Sequence, residues 1–598
     1  MTKIIGISNS HDASVTYLED GRVVAAVQEE RFTNVKNDFG FPYNACQWLI
    51  REYGITNPDL IVYAGERTNP DIAYLRREAN YSLQDWIKEQ HEYWKPLLFE
   101  GRTPSLYEIF KDSEKFKFDT YFNYEGFLGK YQDKEAHYRF QSERARFAAE
   151  VFGVPADRVI FVPHEKCHQF YALCSGPLHD QDVAMVTAEG MGDYSNETVC
   201  VKRGRSVEEI SSGLENRLAT LYRYVTLILG MKPNEHEYKV MGLAPFAKMY
   251  DVEKVLPIFR ELMHVDGLNV KWKNQPKDLY FTMKDRLEGV RFDHIAGALQ
   301  LYLEEMLQEW FRNIARTTGM RKFVFSGGLA QNIKACKSIA EIDEVDDLFI
   351  CPASGDTSLS VGAAYYAYAT GAFPGGGGQW HDTVPFENAY LGHSFSNEEC
   401  LEAIEKAGLR GRFRIIEDAD NVLVAKLLAG GMVLARFRGR MEFGMRALGN
   451  RSIIADPRDF STLKKINDQI KKRDFWMPFT PSMLDSYAER YIVNPKGLKS
   501  PFMTMAFDTT PQGRKDLPAA IHPADYTARP QIVTAKANPS YHDLLSRFAA
   551  ETGVGALLNT SFNLSGYPIV GTPAQAIWTF ENSGLDGVLL EDTLVLRH

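Results

Sequence analysis

The chain is poor in cysteine, in uninterrupted apolar sequence and in positive charge, and each shortage removes a class of function. Seven cysteines among 598 residues make no disulfide framework, so covalent bridging is not what holds the fold together. No apolar run approaches the roughly 20 residues that a membrane-spanning helix needs. The N-terminus, Met1-Thr2-Lys3-Ile4-Ile5-Gly6-Ile7, enters a strand directly, without a signal-peptide pattern. A cytoplasmic protein with no membrane partner is expected. The net charge of −10 and the pI near 5.9 argue against a nucleic-acid partner, which calls for a basic face. Such length exceeds one ordinary core, so at least two domains are expected.

Basic residues are instead concentrated locally. Phe437-Arg438-Gly439-Arg440-Met441-Glu442-Phe443-Gly444-Met445-Arg446-Ala447-Leu448-Gly449-Asn450-Arg451-Ser452 packs four arginines, one carboxylate and three glycines behind an apolar run, Met432–Ala435, that reads as a buried strand. Guanidinium forks at a strand end suit a polyanion, and glycines let backbone N–H groups approach the same oxygens. Spacing alone equally allows an arginine-rich surface turn.

Residues 3–28 read as three strands joined by Asn9-Ser10-His11-Asp12 and Glu19-Asp20-Gly21-Arg22. A comparable unit recurs: Asp182–Thr187 runs into Glu189-Gly190-Met191-Gly192-Asp193 and then Asn196–Val201, and a later strand, Lys322–Phe325, ends in Ser326-Gly327-Gly328. Two hairpins with acidic tips and a late strand–Gly-Gly–helix outline an α/β fold of duplicated actin-like ATPase type, which by itself supports only nucleotide or phosphate binding. Residues 66–145, dense in charges and aromatics, read as a mainly helical insertion whose rings serve as core, with an acceptor-binding role open. The glycine run in Gly371–Gln379 reads as a flexible connection. It separates a first domain, 1–380, from a second, 395–598.

His164-Glu165-Lys166-Cys167-His168 follows the strand Val159–Val162 and Pro163. On a helix the two histidines share one side and can share a metal. The string also satisfies the zinc-protease pattern His-Glu-x-x-His, with Glu165 as base, although Pro163 puts His164 at a helix start, not within a long helix. A helix-terminal His beside a packed core His is the bland alternative.

The motif at 437–452 resembles the signature of the O-carbamoyltransferase family that includes the nodulation and tobramycin enzymes. Further stretches match in order: Glu29-Glu30-Arg31-Phe32-Thr33 with Lys36, Glu237–Pro245, Gly327–Asn332, Asp456-Pro457-Arg458, Asn467 with Ile470–Arg473, Pro478–Pro481, Asp525–Gln531 and Leu557–Asn563. The resemblance covers essentially the whole chain. It implies a YrdC-like α/β second domain, and a metal held by His164, His168 and Asp356, the last in Pro352-Ala353-Ser354-Gly355-Asp356, with Glu165 not carried over as a ligand. Two imidazoles and one carboxylate with open positions favour Fe(II) or another transition metal. His11, with Asp12, resembles the family's phosphate-side hairpin and is the expected proton acceptor. Gly327, Gly328 and Asn332 resemble the nucleotide loop.

In the second domain Arg440, Arg446, Arg451, Lys472, Arg473 and Arg529 are the expected anion-binding residues, and Asn559, Ser561 and Asn563 the expected partners of the carbamoyl group. Departures from the family pattern are Glu189 for an aspartate, Thr357-Ser358-Leu359 for a glycine-bearing segment, Met445 for proline and Met477 for arginine. The implied activity is ATP-dependent O-carbamoyl transfer. Carbamoyl phosphate and ATP, with Mg²⁺, give carbamoyl-adenylate and pyrophosphate, and the carbamoyl group then passes to a small-molecule hydroxyl, a secondary metabolite by family analogy. A homodimer is compatible with this reading. A metallopeptidase using His164, Glu165 and His168, or a non-catalytic ATP-binding maturation protein, are the alternatives.

Overall fold

The computed structural model describes residues 1–130, 133–372, 376 and 378–597. It divides into two compact units, Met1–Glu30 with Asn37–Phe386, and Arg31–Lys36 with Glu387–His598.

In the first unit the opening strands β1 (Lys3–Ser8), β2 (Ser14–Glu19) and β3 (Arg22–Gln28) form an antiparallel meander. Asp20 and Gly21 both take positive φ, the geometry of a two-residue hairpin turn. β4 (Leu60–Ala64) lies parallel to β1, and β5 (Val159–Val162) parallel to β4, giving the order β3-β2-β1-β4-β5. Ile4, Ile5 and Ile7 of the central strand are fully buried, as suits a strand covered on both faces.

The same arrangement recurs. β6 (Val183–Ala188), β7 (Glu197–Arg203) and β8 (Ser206–Gly213) form the second meander. After a separate hairpin, β9 (Met263–Asp266) and β10 (Asn269–Trp272), come β11 (Lys322–Ser326) and β12 (Asp347–Ile350). The second sheet is ordered β12-β11-β6-β7-β8, which is the first order read from the other edge. This repeat is the duplicated actin-like architecture expected from the hairpins.

The helix His164–Ser175 packs on the helix Leu359–Thr370. The crossing is close: a Cβ at Gly362 would lie 1.9 Å from the Cys167 carbonyl oxygen. The small residues Gly362-Ala363-Ala364 therefore let the two helices, at whose N-terminal ends the candidate site lies, sit backbone to backbone.

Residues 66–145 are built from short helices, Pro70–Leu75, Arg77–Asn80, Leu83–Lys88, Lys95–Phe99 and Leu106–Phe110, with a π-helical turn at Glu89–Trp94 and the start of Lys134–Phe152. Residues 111–130 carry neither helix nor strand. Leu75, Tyr81, Trp86, Tyr93, Leu106, Phe110 and Phe116 form a core of their own, joined by Leu227 and Tyr280. Phe373, Pro374, Gly375 and Gly377, part of the expected glycine connection, lie outside the described residues.

The second unit is built on one mixed sheet ordered β13-β22-β21-β14-β15-β20-β16-β19. Its strands are β13 (Arg414–Ile416), β14 (Leu434–Phe437), β15 (Arg451–Ala455), β16 (Thr480–Leu484), β19 (Gln531–Val533), β20 (Ala556–Ser561), β21 (Gly587–Leu590) and β22 (Thr593–Leu596). The short pair β17 (Phe507–Asp508) and β18 (Thr527–Ala528) stands apart. β14 starts two residues later than the apolar run suggests, and the arginine motif is the irregular connection from β14 to β15. No cysteine is bridged, and no helix among the described residues is long and apolar enough to cross a membrane.

Candidate active site

Proline at 163 carries no N–H and precedes the first helical residue, His164. One turn on, His168 lies on the same face and is fully buried. β12 delivers Asp356, the first residue of a 3₁₀ turn that leads into the helix Leu359–Thr370. β6 ends one residue before Glu189. These four residues converge, with one ligand atom from each lying within 4.8 Å of every other. His164 Nε2 touches a Glu189 carboxylate oxygen and is 3.5 Å from Asp356 Oδ1. His168 Nε2 is 3.3 Å from Glu189 and 3.6 Å from Asp356.

Proximity is not matched by bonding. Both Nε2 atoms and both Glu189 oxygens are buried without an aligned hydrogen bond. Burial works against charge in all four residues, yet opposite charges prevail: both histidines are raised and both carboxylates lowered from their ordinary pKa values. Two imidazoles and two carboxylates aimed at one point fit a divalent transition-metal ion. Glu189 is the donor that the sequence reading did not assign. Glu165 does not face the cluster; its carboxylate accepts the backbone N–H groups of Asp193 and Tyr194 at 3.2 and 3.4 Å. The base role required by the peptidase alternative is thus not available to it.

His11 and Asp12 form the turn between β1 and β2, with Asp12 at φ +59°. His11 Nε2 is 3.0 Å from Asp356 Oδ2, and Nδ1 is 3.5 Å from Asp12 Oδ2. Burial alone would lower the His11 pKa, but Asp356 and then Asp12 raise it well above the ordinary value. The expected base and the expected metal ligands therefore meet on a single carboxylate.

Gly327 follows β11 at φ +95°, and a Cβ there would lie 2.3 Å from the Ala188 carbonyl oxygen. Only glycine fits. Gly328 has open space where its Cβ would stand, so its backbone can be approached by a ligand. Asn332 is occupied: its Oδ1 caps the helix Ile333–Glu341 through the Ala335 N–H, and its amide exchanges hydrogen bonds with Gln300.

In the second unit the carboxylate of the arginine motif organises the loop. Glu442 Oε1 accepts the backbone N–H groups of Leu448, Asn450 and Arg451 at 2.7, 2.8 and 3.1 Å. Two of the expected anion ligands brace the same structure. Arg440 donates to the carbonyls of Leu391 and Gly392. Arg451 is fully buried over the Phe437 ring and donates to the carbonyls of Arg438 and Asn450.

Arg446, Arg473 and Arg529 form a separate group. Burial, and then the like charges of Arg446 and Arg473, depress the Arg529 pKa well below its ordinary value, and Arg529 Nε is buried without a hydrogen-bond partner. Lys472 is exposed in the left-handed region. Its neighbour Lys471, absent from the expected set, is the buried one: its Nζ donates to Ser561 and Asn563, reaching Asn563 Oδ1 at 2.6 Å. Burial, Arg473 and Lys36 lower its pKa. Asn559 donates to Ala447 O and Ser482 Oγ, leaving its buried Oδ1 without a partner. Met477, where an arginine was expected, is buried.

The first unit gathers metal-type donors and the second gathers cations, residue types suited to metal and anion binding. Residues 3–365 match the family described as Carbamoyltransferase N-terminus, and residues 425–597 match Carbamoyltransferase C-terminus. The chain belongs to the carbamoyltransferase family and is a transferase enzyme. An uncharacterized protein of Methanocaldococcus jannaschii is 29% identical over the whole of both chains. Nodulation protein NolNO of Sinorhizobium fredii is 28% identical over 98% of this chain and 79% of its own. The 3'-hydroxymethylcephem-O-carbamoyltransferase of Amycolatopsis lactamdurans is 28% identical over 73% of this chain and 80% of its own.

Proposed function

We propose that the protein is an ATP-dependent O-carbamoyltransferase acting on the hydroxyl of a small molecule. In the second unit, carbamoyl phosphate, ATP and water give carbamoyl-adenylate, pyrophosphate and phosphate. In the first unit the acceptor oxygen attacks the carbamoyl carbon, AMP leaves, and the hydroxyl proton is taken up nearby. Family membership supports the group transferred. The observation that carries the division of labour is the meeting of His11 with the four-donor cluster on Asp356.

Arg446 and Arg473 lie close enough to the buried Arg529 for their like charges to lower its pKa. Two anionic substrates brought together need such a group, since it offsets their repulsion and the charge developing on departing phosphate. Lys471, Ser561, Asn563 and the free Oδ1 of Asn559 offer donors and acceptors for a planar carbamoyl group. Nucleotide phosphate would approach the open backbone at Gly328.

His164, His168, Glu189 and Asp356 would hold the divalent ion, with Fe²⁺ the choice the donor set favours over Mg²⁺. When bound, the ion would supply positive charge to the site and would offset the Asp356 carboxylate, whose charge raises the His11 pKa against the effect of burial. His11 orients the acceptor hydroxyl and takes its proton, with Asp12 fixing the ring from the other side. Incubation with carbamoyl phosphate, ATP and a panel of alcohols tests the reading. AMP release that depends on carbamoyl phosphate, with a carbamoyl mass increment on an alcohol, is the expected result; ATP turnover indifferent to carbamoyl phosphate overturns it.

A further inference from the structure

We propose that Glu165 and Asp193 clamp the loop after β6 onto the helix of the two histidines, and that this clamp aims Glu189 at the four-donor cluster. Both are then positioning residues for a bound ion, and the inference rests on the reading of that cluster as a metal site.

Glu189 needs such an aim. It carries one more rotatable bond than the aspartate expected in its place, and the segment that follows it, 190–196, holds neither helix nor strand. Its backbone N–H donates to the Asn196 carbonyl at 2.9 Å, which fixes the start of the loop but not the direction of a long side chain. Both of its carboxylate oxygens are buried without an aligned hydrogen bond, so no bond of its own sets that direction either.

The loop itself supplies the support. A Cβ at Gly192 would lie 2.9 Å from Glu189 Oε1 and 2.1 Å from the Ser195 carbonyl oxygen, so the glycine lets the carboxylate rest against the loop backbone. Asp193, next in the chain, bonds the histidine helix. Its Oδ2 accepts the backbone N–H groups of His164 at 2.9 Å and Glu66 at 2.8 Å, and its Oδ1 accepts that of Arg67 at 3.1 Å. The Arg67 guanidinium donates to the Asp193 carbonyl at 2.6 Å. Glu165 closes the contact from the helix side, since its Oε2 accepts the N–H groups of Asp193 and Tyr194. Glu165 and Asp193 are only 5% and 7% exposed, and hydrogen bonds shielded from water hold their geometry more strongly.

The exchange follows the logic of a capping box, in which a cap side chain and a first-turn acid each accept a backbone N–H from the other's segment. Pro163, at the cap position, makes no side-chain bond, and Asp193, 29 residues after His164, supplies it instead. A cap drawn from a distant loop does what a local one does not: it ties that loop to the helix. The His-Glu-x-x-His string thereby gains a use for its second residue. The histidines face the cluster, while Glu165, about 100° round the helix from His164, holds the segment that brings the fourth donor.

Metal binding by the full chain tests this without turnover. Co²⁺ serves as the probe, titrated into metal-free protein, with affinity read by calorimetry and the ligand set by the visible absorption of the bound ion. Glu165→Leu should weaken Co²⁺ binding at least about tenfold, the lower end of the effect of losing a residue that supports a ligand, and should shift the absorption. Glu165→Gln, whose amide oxygen accepts the same N–H groups, should stay within about threefold of wild type. Glu165→Asp keeps the charge but withdraws it by one methylene; it should bind about fivefold more weakly, and it carries the test if Glu165→Leu fails to fold. The decisive comparison is made in a Glu189→Gln background. There Glu165→Leu should add less than about twofold, because a residue acting through Glu189 has nothing left to aim. A full loss repeated in that background, or wild-type affinity in the folded Glu165→Leu and Glu165→Asp variants, overturns the clamp while leaving the metal site standing. If the wild-type chain takes up no Co²⁺, the metal reading fails and the clamp falls with it.

Discussion

The two units solve opposite electrostatic problems. In the first, negative and ionisable groups are crowded: Glu189 and Asp356 share space with His164, His168 and His11, and the carboxylates stabilise protons on the imidazoles. In the second, cations are crowded: burial and then Arg446 and Arg473 lower the Arg529 pKa, and burial and then Arg473 and Lys36 lower that of Lys471. The first cluster mixes charges that favour one another, whereas the second brings like charges together. On the proposed reading the first cluster takes a cation and the second takes anions, and damage to one should leave the other's step intact.

The largest effect should follow from removing a ligand of the first cluster. His168→Ala is expected to abolish metal retention and carbamoyl transfer while carbamoyl-adenylate still forms; metal content by mass spectrometry and separate assays of the two steps check this, and full metal occupancy in both His168→Ala and Asp356→Ala would remove the assignment. His11→Ala should slow transfer by about 10²–10⁴-fold, the range of a lost proton-transfer group, with adenylate formation unchanged. Transfer at the wild-type rate would reduce His11 to a turn residue.

On the other side, Arg529→Ala or Arg446→Ala should lower adenylate formation roughly 10²-fold, consistent with losing a desolvated cationic contact. Transfer from supplied carbamoyl-adenylate should continue. If both steps fell together, the separation of tasks would be wrong.

The smallest effect is on stability. Burial raises the Glu197 pKa from 4.5 to about 7, against hydrogen bonds from Val270 N–H, Asn216 and Asn269. Below about pH 4.5 both states keep the proton. Between 4.5 and 7 only the unfolded chain releases it readily, so stability falls as pH rises and levels off above 7. The lost stability is about 3 kcal/mol for this group. Urea melts at pH 4.5 and 8 should show the difference between Glu197→Gln and wild type moving by that amount in the variant's favour; a constant difference would contradict it.

Much of the first unit was legible because its strands are short, apolar and punctuated by turn residues, as at Asp20-Gly21. β4 was not, since Leu60-Ile61-Val62-Tyr63-Ala64 carries no periodicity that separates strand from buried helix. The His164–His168 pair was readable from its four-residue spacing and its proline. Glu189 was not, because its side chain meets the histidines only after β6 and the helix pack, and a longer acid in an aspartate's place gives no sign of reaching the same point. Lys471 and Lys472 were indistinguishable as letters; the left-handed backbone at Lys472 decides which one turns inward. Arg440 and Arg451 looked like anion ligands because composition does not reveal which cations the backbone carbonyls will claim.

Arg31–Lys36 belongs to the second unit although the chain around it builds the first. Arg31 donates to the Gly444 carbonyl, 413 residues later, and a Cβ at Gly571 would lie 2.1 Å from the Arg31 carbonyl oxygen. Phe32 of the same segment meets the His393 ring, so at a synthesis rate of about 5–20 residues per second the segment waits roughly 20–70 s on the ribosome before a distant partner of this kind exists. The first meander can form around it, but the full set of partners, Gly571 included, exists only when translation is nearly complete. A gene cut cleanly at residue 386 would therefore yield neither unit whole: the upstream product would carry six residues with nowhere to go, and the downstream product would lack the strip that Gly444 and Gly571 are shaped to receive.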